Sequence, residues 1–180
     1  FWGMSQNLVA VIPAHAKVNF GVESPLAVNA MLASSVIGIM IGAFLSGRKS
    51  LNFIRINNIY TGSILITVCA ILVPVISSLN FIPNSTALIL VTSVILLFGV
   101  GAGMMIVPLN ALMQAHSPED GLGSMLAGKN WLQNIAMISL LIFTVILANL
   151  SFGSEFILYF NAFIAVAGFS IVLKKLKAIL

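Results

Sequence analysis

Charged side chains are scarce in this sequence. Asp, Glu, Lys and Arg make up only 7% of its 180 residues, whereas 60% are hydrophobic, and the mean hydropathy is +1.14. A soluble globular domain has a charged share of about 25%, so the composition excludes that class. Lipid is therefore the expected solvent. A bilayer-spanning helix takes about 20 residues, so this chain is long enough for about six spans.

Groups that perform bond chemistry are also few. The single cysteine, Cys69, excludes an intrachain disulfide. The two histidines, His15 and His116, have no Cys or carboxylate at ligand spacing, so we expect no metal site and no cofactor. No carboxylate or arginine falls inside a confident apolar run, and no proton relay is expected. The sequence predicts a protein that is not an enzyme.

Apolar runs separated by short, turn-like loops indicate six transmembrane helices. The predicted spans are residues 1–19, 26–46, 56–79, 86–114, 124–148 and 155–173. The first span is the most polar, because it contains Gln6, Asn7, Pro13, His15 and Lys17. That composition suits a helix that lines a cavity and is kinked at Pro13. The short loops predict that consecutive helices are antiparallel neighbours.

The small net charge of +4 is interpreted as an orientation signal and not as a nucleic-acid surface. With six crossings, all basic residues except Lys17 fall on one face of the membrane. They are Arg48, Lys49, Arg55, Lys129, Lys174, Lys175 and Lys177. Because Lys and Arg concentrate in cytoplasmic loops, both ends of the chain are predicted to be cytoplasmic.

Neutral amides supply most of the polarity inside the spans. An amide donates and accepts hydrogen bonds without a net charge to desolvate, so it suits a zwitterionic or uncharged polar head group. It equally suits a hydrogen bond between helices, which contributes roughly 0.6–2 kcal/mol. The candidate substrate-binding residues are Gln6, Asn7, Asn29, Asn110, Gln114, Asn130 and Asn134.

Two amide pairs flank one predicted cytoplasmic loop. Asn110 and Gln114 are four residues apart, as are Asn130 and Asn134, so each pair shares one helix face. Pro108 interrupts the helical hydrogen bonds just before Asn110 and frees backbone carbonyls. We expect the two faces to form a polar rim at the inner mouth of a cavity.

Spaced glycines predict close helix packing. Gly38 and Gly42 form one G-x-x-x-G pattern, and Gly99 and Gly103 form another with Gly101 between them. A hinge in the second stretch is the alternative, because glycine absorbs the dihedral changes that alternating access requires.

Several stretches resemble one family of transporters. They are Phe1-Trp2-Gly3, the spaced glycines from Leu32 to Gly47-Arg48, and Val107-Pro108-Leu109-Asn110-Ala111-Leu112-Met113-Gln114. These residues resemble the C-terminal six helices of the lysophospholipid transporter family, which belongs to the major facilitator superfamily. The next stretch looks like its continuation in variants fused to acyltransferase and acyl-carrier-protein synthetase domains; it comprises Ser117-Pro118-Glu119-Asp120 through Gly123, Leu126-Ala127 and Asn130.

The resemblance implies an all-α membrane protein that forms half of a twelve-helix major facilitator fold. Residues 1–180 would be the C-terminal bundle, and the N-terminal half would lie outside this sequence. It implies secondary transport of lysophospholipid in the bacterial inner membrane, with the bilayer, an amphiphilic substrate and the N-terminal half as partners. One departure is at Val9, near which relatives carry an Arg that could meet a phosphate.

Two other functions remain open. A drug or small-molecule exporter of the same superfamily would also use neutral amides and a wall rich in methionine. Alternatively, the helices anchor and feed a fused acyltransferase. That hypothesis predicts a soluble catalytic domain soon after Leu180.

Overall fold

The computed structural model describes residues 1–48, 56–79, 81–118 and 121–177, and all regular structure in these ranges is α-helical. The six helices are α1 (Trp2–Phe20), α2 (Pro25–Arg48), α3 (Ile56–Ser77), α4 (Asn84–Ala115), α5 (Leu122–Asn149) and α6 (Ser154–Lys177). The all-helical prediction is confirmed. Lys49, Arg55, Glu119, Asp120 and Leu180 lie outside the described residues, as do the side chains of Lys175 and Lys177.

The predicted count of six apolar spans is met only in part. Five helices, α2 to α6, are long and apolar enough to cross a membrane, with mean hydropathies of 2.0 to 2.4 in their most apolar stretches. The 19-residue α1 is not among these candidates. Polar side chains such as Asn7, His15 and Lys17 lower its hydropathy, and two of them, Asn7 and His15, are buried against other helices.

Local sequence explains several helix ends. Pro25 occupies the first position of α2, where its missing N–H leaves no hydrogen bond unmade. At the end of α1, Gly21 adopts φ 66°, a left-handed conformation that glycine takes without strain, and Val22 N–H donates to Ala16 O. Glu155 lies in the first turn of α6, where a carboxylate is favoured by the helix dipole.

Consecutive helices run in opposite directions, as predicted, but the prediction that they are neighbours is met only in part. Among the described residues α2 packs mainly on α4, and α1 packs mainly on α5 and α6. α3 and α4 are antiparallel, because Gly101 lies beside Ile66 and Met105 lies beside Gly62. α2 and α4 run parallel. α1 contacts both α5 and α6; it runs parallel to α5 and antiparallel to α6. We call the end where α1, α3 and α5 begin the near end, and the opposite end the far end. The near end is the one that the distribution of basic residues predicts to be cytoplasmic.

Glycines bring α2 directly against α4. Gly38 and Gly42 face the backbone of α4, and Gly99 and Gly103 face the backbone of α2. A Cβ atom built at any of these four positions would collide with a carbonyl oxygen of the opposite helix. The two helices therefore approach as closely as only glycine permits, which is how small residues promote packing in membranes.

α3 packs on the adjacent face of α4. A Cβ atom at Gly62 would lie 2.5 Å from Gly101 O, and one at Gly101 would lie 2.9 Å from Gly62 O. α4 is thus packed between α2 and α3. The core extends from α3 and α4 to α1 and α6. Its most buried residues include Ile12 of α1, Val91 of α4 and Leu158 of α6.

α5 is the least enclosed helix. Its contact with α1 includes Gly3, which lies next to Leu140, but its buried residues are only Thr144 and Leu147. Many large apolar side chains on α5 are exposed, with Trp131 at 67% and Leu132 at 65%. Apolar surface of this extent on a membrane-spanning helix suits lipid or another helical bundle.

Candidate functional site

At the near end of the bundle, a hydrogen bond between two polar side chains joins α4 to α5. Lys129 Nζ donates to Asn110 Oδ1 at 2.7 Å, and both side chains are half-buried. In the sequence, Lys129 indicates only the orientation of the chain. The structure brings this cation to the amide that lies in the motif Val107 to Gln114.

The other members of the two amide pairs are exposed. Gln114, Asn130 and Asn134 have open side chains, and among the described residues no hydrogen bond links one pair to the other. The contact between α4 and α5 is made by Lys129, one residue before Asn130. The predicted polar rim therefore remains a prediction, with Lys129 as an additional member.

Pro108 is buried in α4, which continues through it as a helix. A proline leaves the carbonyl four residues earlier without its helical partner, here that of Met104. The Ser46 hydroxyl of α2 donates to Met104 O at 3.4 Å, and Asn58 Nδ2 of α3 donates to Ser46 Oγ at 3.0 Å. The carbonyl freed by Pro108 is thus used to join three helices, and the possible hinge at Gly99 to Gly103 lies within the same tightly packed region of α4.

The amides of the first two helices lie in different environments. Asn7 is buried, and its Oδ1 accepts a hydrogen bond of 2.7 Å from the Thr144 hydroxyl of α5. Gln6 is half-buried, whereas Asn29 is exposed near the far end of α2. Among these three, only Asn7 is buried in a contact between helices.

A second buried amide, Asn161 of α6, was missed by the sequence analysis. Asn161 Nδ2 donates to Met4 O at 3.4 Å, while its Oδ1 has no partner in the described structure. Asn7 Nδ2, one helical turn from Met4, is likewise without a partner there. The vacant group on α1 is a donor and the one on α6 is an acceptor, so the two are complementary in kind.

A second polar cluster lies at the far end, around His15. This imidazole is fully buried and contacts two helices besides its own. Nε2 lies 2.7 Å from Ser77 Oγ of α3, and Nδ1 lies 3.0 Å from Ser154 Oγ of α6. Asn19 Nδ2 lies 3.0 Å from Nδ1 and donates to Glu155 Oε1 at 3.1 Å. We call these five residues the His15 cluster.

Hydrogen-bond geometry assigns the tautomer of His15. The Ser77 hydroxyl has one proton and donates it to Val73 O at 2.9 Å, so Ser77 Oγ must accept from Nε2–H. Nδ1 then carries the lone pair and accepts from the Ser154 hydroxyl. Asn19 Nδ2 lies 3.0 Å from Nδ1 and 3.3 Å from Nε2, so the amide sits over the ring face and is not in line with either nitrogen. The cluster therefore fits a neutral imidazole. No pattern in the sequence predicts this cluster, because it joins helices whose contacting residues are more than 60 positions apart.

An apolar cavity of about 230 Å³ lies between α1, α3, α4 and α6. Its walls include Met4, Met105, Leu109, Ile164 and Phe169.

Two hydroxyls, those of Ser63 and Thr67, also line this cavity, but both are already engaged. Ser63 Oγ donates to Met105 Sδ at 3.4 Å, and Thr67 Oγ1 donates to Ser63 O at 2.8 Å. The cavity therefore offers hydrocarbon contacts and no free donor from these groups.

The chain is similar in sequence to a known transporter. The lysophospholipid transporter LplT of Klebsiella pneumoniae is 32% identical to this chain over 145 residues, which cover 78% of the chain and 33% of LplT. The chain thus spans about a third of the length of that relative. No protein-family model matches the sequence, and no solved structure matches it. With five helices apolar enough to cross a bilayer and this similarity, the chain is a multi-pass membrane protein that resembles part of a transporter.

Proposed function

We propose that this chain is the C-terminal six-helix half of a major facilitator that moves lysophospholipid across the bacterial inner membrane. The likeness to LplT along most of the chain is the observation that carries this proposal. The helices are consistent with it, because five of them are long and apolar enough to cross a bilayer.

The head-group phosphate would bind at Lys129 and Asn110. An ammonium group has three N–H donors, of which Asn110 accepts one. The amide orients the cation, and the remaining donors face a phosphate as a point charge, which is the usual way in which lysine binds this group. Lys129 would then supply the positive charge that is missing near Val9.

The single acyl chain would occupy the apolar cavity. A cavity of 150 Å³ lined by apolar side chains binds benzene, so by the same measure about 230 Å³ holds about nine carbon atoms. Leu109 lines the cavity and is followed in α4 by Asn110, so a polar and an apolar site lie on adjoining faces of one helix. That combination suits an amphiphile with one hydrocarbon chain.

The N-terminal half would cover surfaces that are open in this bundle. The exposed amides Asn130 and Asn134 lie on α5 beside exposed Trp131, so this helix presents a mixed polar and apolar face. In transporters built from two repeats, substrate sites lie between the repeats. α5 is accordingly the helix that we place at the interface between the halves.

The test is lysolipid flipping by the complete transporter in liposomes. Lys129→Gln should lower the flipping rate at least about tenfold, since a charge-assisted hydrogen bond contributes about 1.5–3 kcal/mol. Lys17→Gln is the matched control, because Lys17 is an exposed lysine at the far end, and its rate should stay unchanged. Equal rates for both variants and the wild type would eliminate Lys129 as the phosphate site. Transport of amphiphilic drugs without lysolipid flipping would favour the exporter.

A further inference from the structure

The His15 cluster holds a titratable group where three helices meet, and the proposed transport cycle does not use it. His15 belongs to α1, Ser77 to α3, and Ser154 and Glu155 to α6. We propose that His15 is a proton-binding site, and that proton uptake replaces the Asn19 bridge by a direct pair between His15 and Glu155. This exchange would change how α1 is held against α6 at the far end.

The contacts of the cluster favour the neutral ring over the charged one. When Nδ1 gains a proton, both ring nitrogens become donors. Ser154 can adapt, because its hydroxyl turns and accepts. Asn19 cannot adapt in place, since its NH₂ group lies close to both ring nitrogens and would face a positive charge, and turning the amide would set its oxygen against the carboxylate of Glu155. Asn19 must therefore leave the position between the two groups.

Glu155 is placed to take over as the partner of the charged ring. The distances from Asn19 Nδ2, 3.0 Å to Nδ1 and 3.1 Å to Glu155 Oε1, put imidazole and carboxylate within about 6 Å of each other. An opposite charge at that range stabilises an imidazolium, whose burial without a counter-ion would be costly. The carboxylate is half-buried, so it also has access to water at this end.

No other charged group competes for the ring among the described residues around it. α3 presents the neutral Ser77, and α6 presents Ser154 and Glu155. The remaining neighbour is the aromatic ring of Phe20, which meets the imidazole edge to face with 5.7 Å between the ring centroids. Two further charged residues occur nearby in the sequence, Lys17 and Glu23, and both are exposed without a hydrogen bond to the imidazole.

Proton uptake by His15 adds one proton to the cluster and releases nothing. One proton passes from water at the far end to Nδ1, no bond other than N–H forms, and nothing leaves. The charge of the cluster changes from that of one carboxylate to zero. Because Glu155 lies in the first turn of α6 and His15 one turn before the end of α1, the new pair acts on the ends of both helices.

The test measures the distance between α1 and α6 in the complete transporter. Spin labels at Val18 and Phe163, which are 76% and 69% exposed, leave the cluster intact. Lowering the pH from about 8 to about 4 spans the titration range of histidines in proteins. A direct N–H···O bond is about 2.8 Å long. Replacing the bridge should therefore change the label distance by up to about 3 Å, because rotation of the His15 and Glu155 side chains takes up part of the difference.

Three variants make the result specific. Glu155→Gln can still accept from Asn19, so the neutral cluster survives, but the pair with an imidazolium is lost and the pH-dependent shift should disappear. His15→Gln should abolish the shift as well. His116→Gln is the matched control, since His116 is exposed near the end of α4, and the shift should persist.

The outcomes separate the proposal from its rivals. Absence of a shift in the wild type, or a full shift in Glu155→Gln, would overturn it. A shift that persists in His15→Gln would overturn it as well, because the proton would then bind Glu155 alone. If His15→Gln does not fold, His15→Asn takes its place. No lysolipid is used, so failure of the proposed transport function would leave this result unaffected.

Discussion

Close packing of α2 on α4 predicts that a single methyl group at Gly42 destabilises the protein. The Cβ of Gly42→Ala would collide with the carbonyl oxygen of Val100 and lie 3.0 Å from the backbone nitrogen of Met104. Both obstacles are helix backbone, which cannot rotate away as a side chain would. The helices must therefore move apart, and their remaining contacts weaken.

The magnitude follows from two opposing terms. Overpacking costs about 1–3 kcal/mol, and a clash with backbone belongs at the upper end of that range. Alanine is favoured over glycine within a helix by about 1 kcal/mol. The free energy of unfolding should therefore fall by about 2 kcal/mol.

Gly168→Ala is the matched control. Gly168 also lies inside a helix, α6, but a Cβ atom there meets nothing within 4 Å. Only the helix propensity remains, so this variant should be unchanged or more stable by up to about 1 kcal/mol. Both would be measured by reversible unfolding in mixed micelles. If Gly42→Ala were as stable as Gly168→Ala, the close approach of α2 to α4 would be refuted.

Two further predictions concern orientation and binding. Single cysteines at Ser117 and Asn84, in a Cys69→Ser background, should react with an impermeant thiol reagent from opposite sides of the membrane, Ser117 from the cytoplasm; labelling of both from one side would contradict the topology. Asn110→Leu should abolish lysolipid flipping while the thermal midpoint of the purified transporter stays nearly constant, because Lys129 is only half-buried and can turn to water. Normal flipping with a lowered midpoint would instead show that Asn110 serves only to join α4 to α5.

The class of the protein could be predicted from its sequence because membrane insertion depends on local composition. Each long apolar stretch satisfies its own backbone as a helix, whatever its neighbours do. The helix bounds consequently lie within a few residues of the predicted spans. α1 differs from the others for the same reason, since its polar residues already set it apart in sequence.

The candidate site could be predicted only in part. Asn110 was identified from its amide and from Pro108 nearby, both of which are local features. Its partner Lys129 was not, because Lys129 and Asn130 are neighbours in sequence and differ by about 100° around α5. Only the rotation of α5 relative to α4 determines which of the two faces Asn110.

By itself, the sequence determined the solvent of this protein, its helical class and the positions of the glycines that permit close packing. Those properties arise from residues within one helix. The tertiary structure alone decided that Met104 O is satisfied by Ser46, and that His15 meets Ser77 and Ser154. Such contacts require the depth, rotation and tilt of several helices at once. A shift of one residue along a helix turns a side chain by about 100°, so no spacing within a single span specifies its partner.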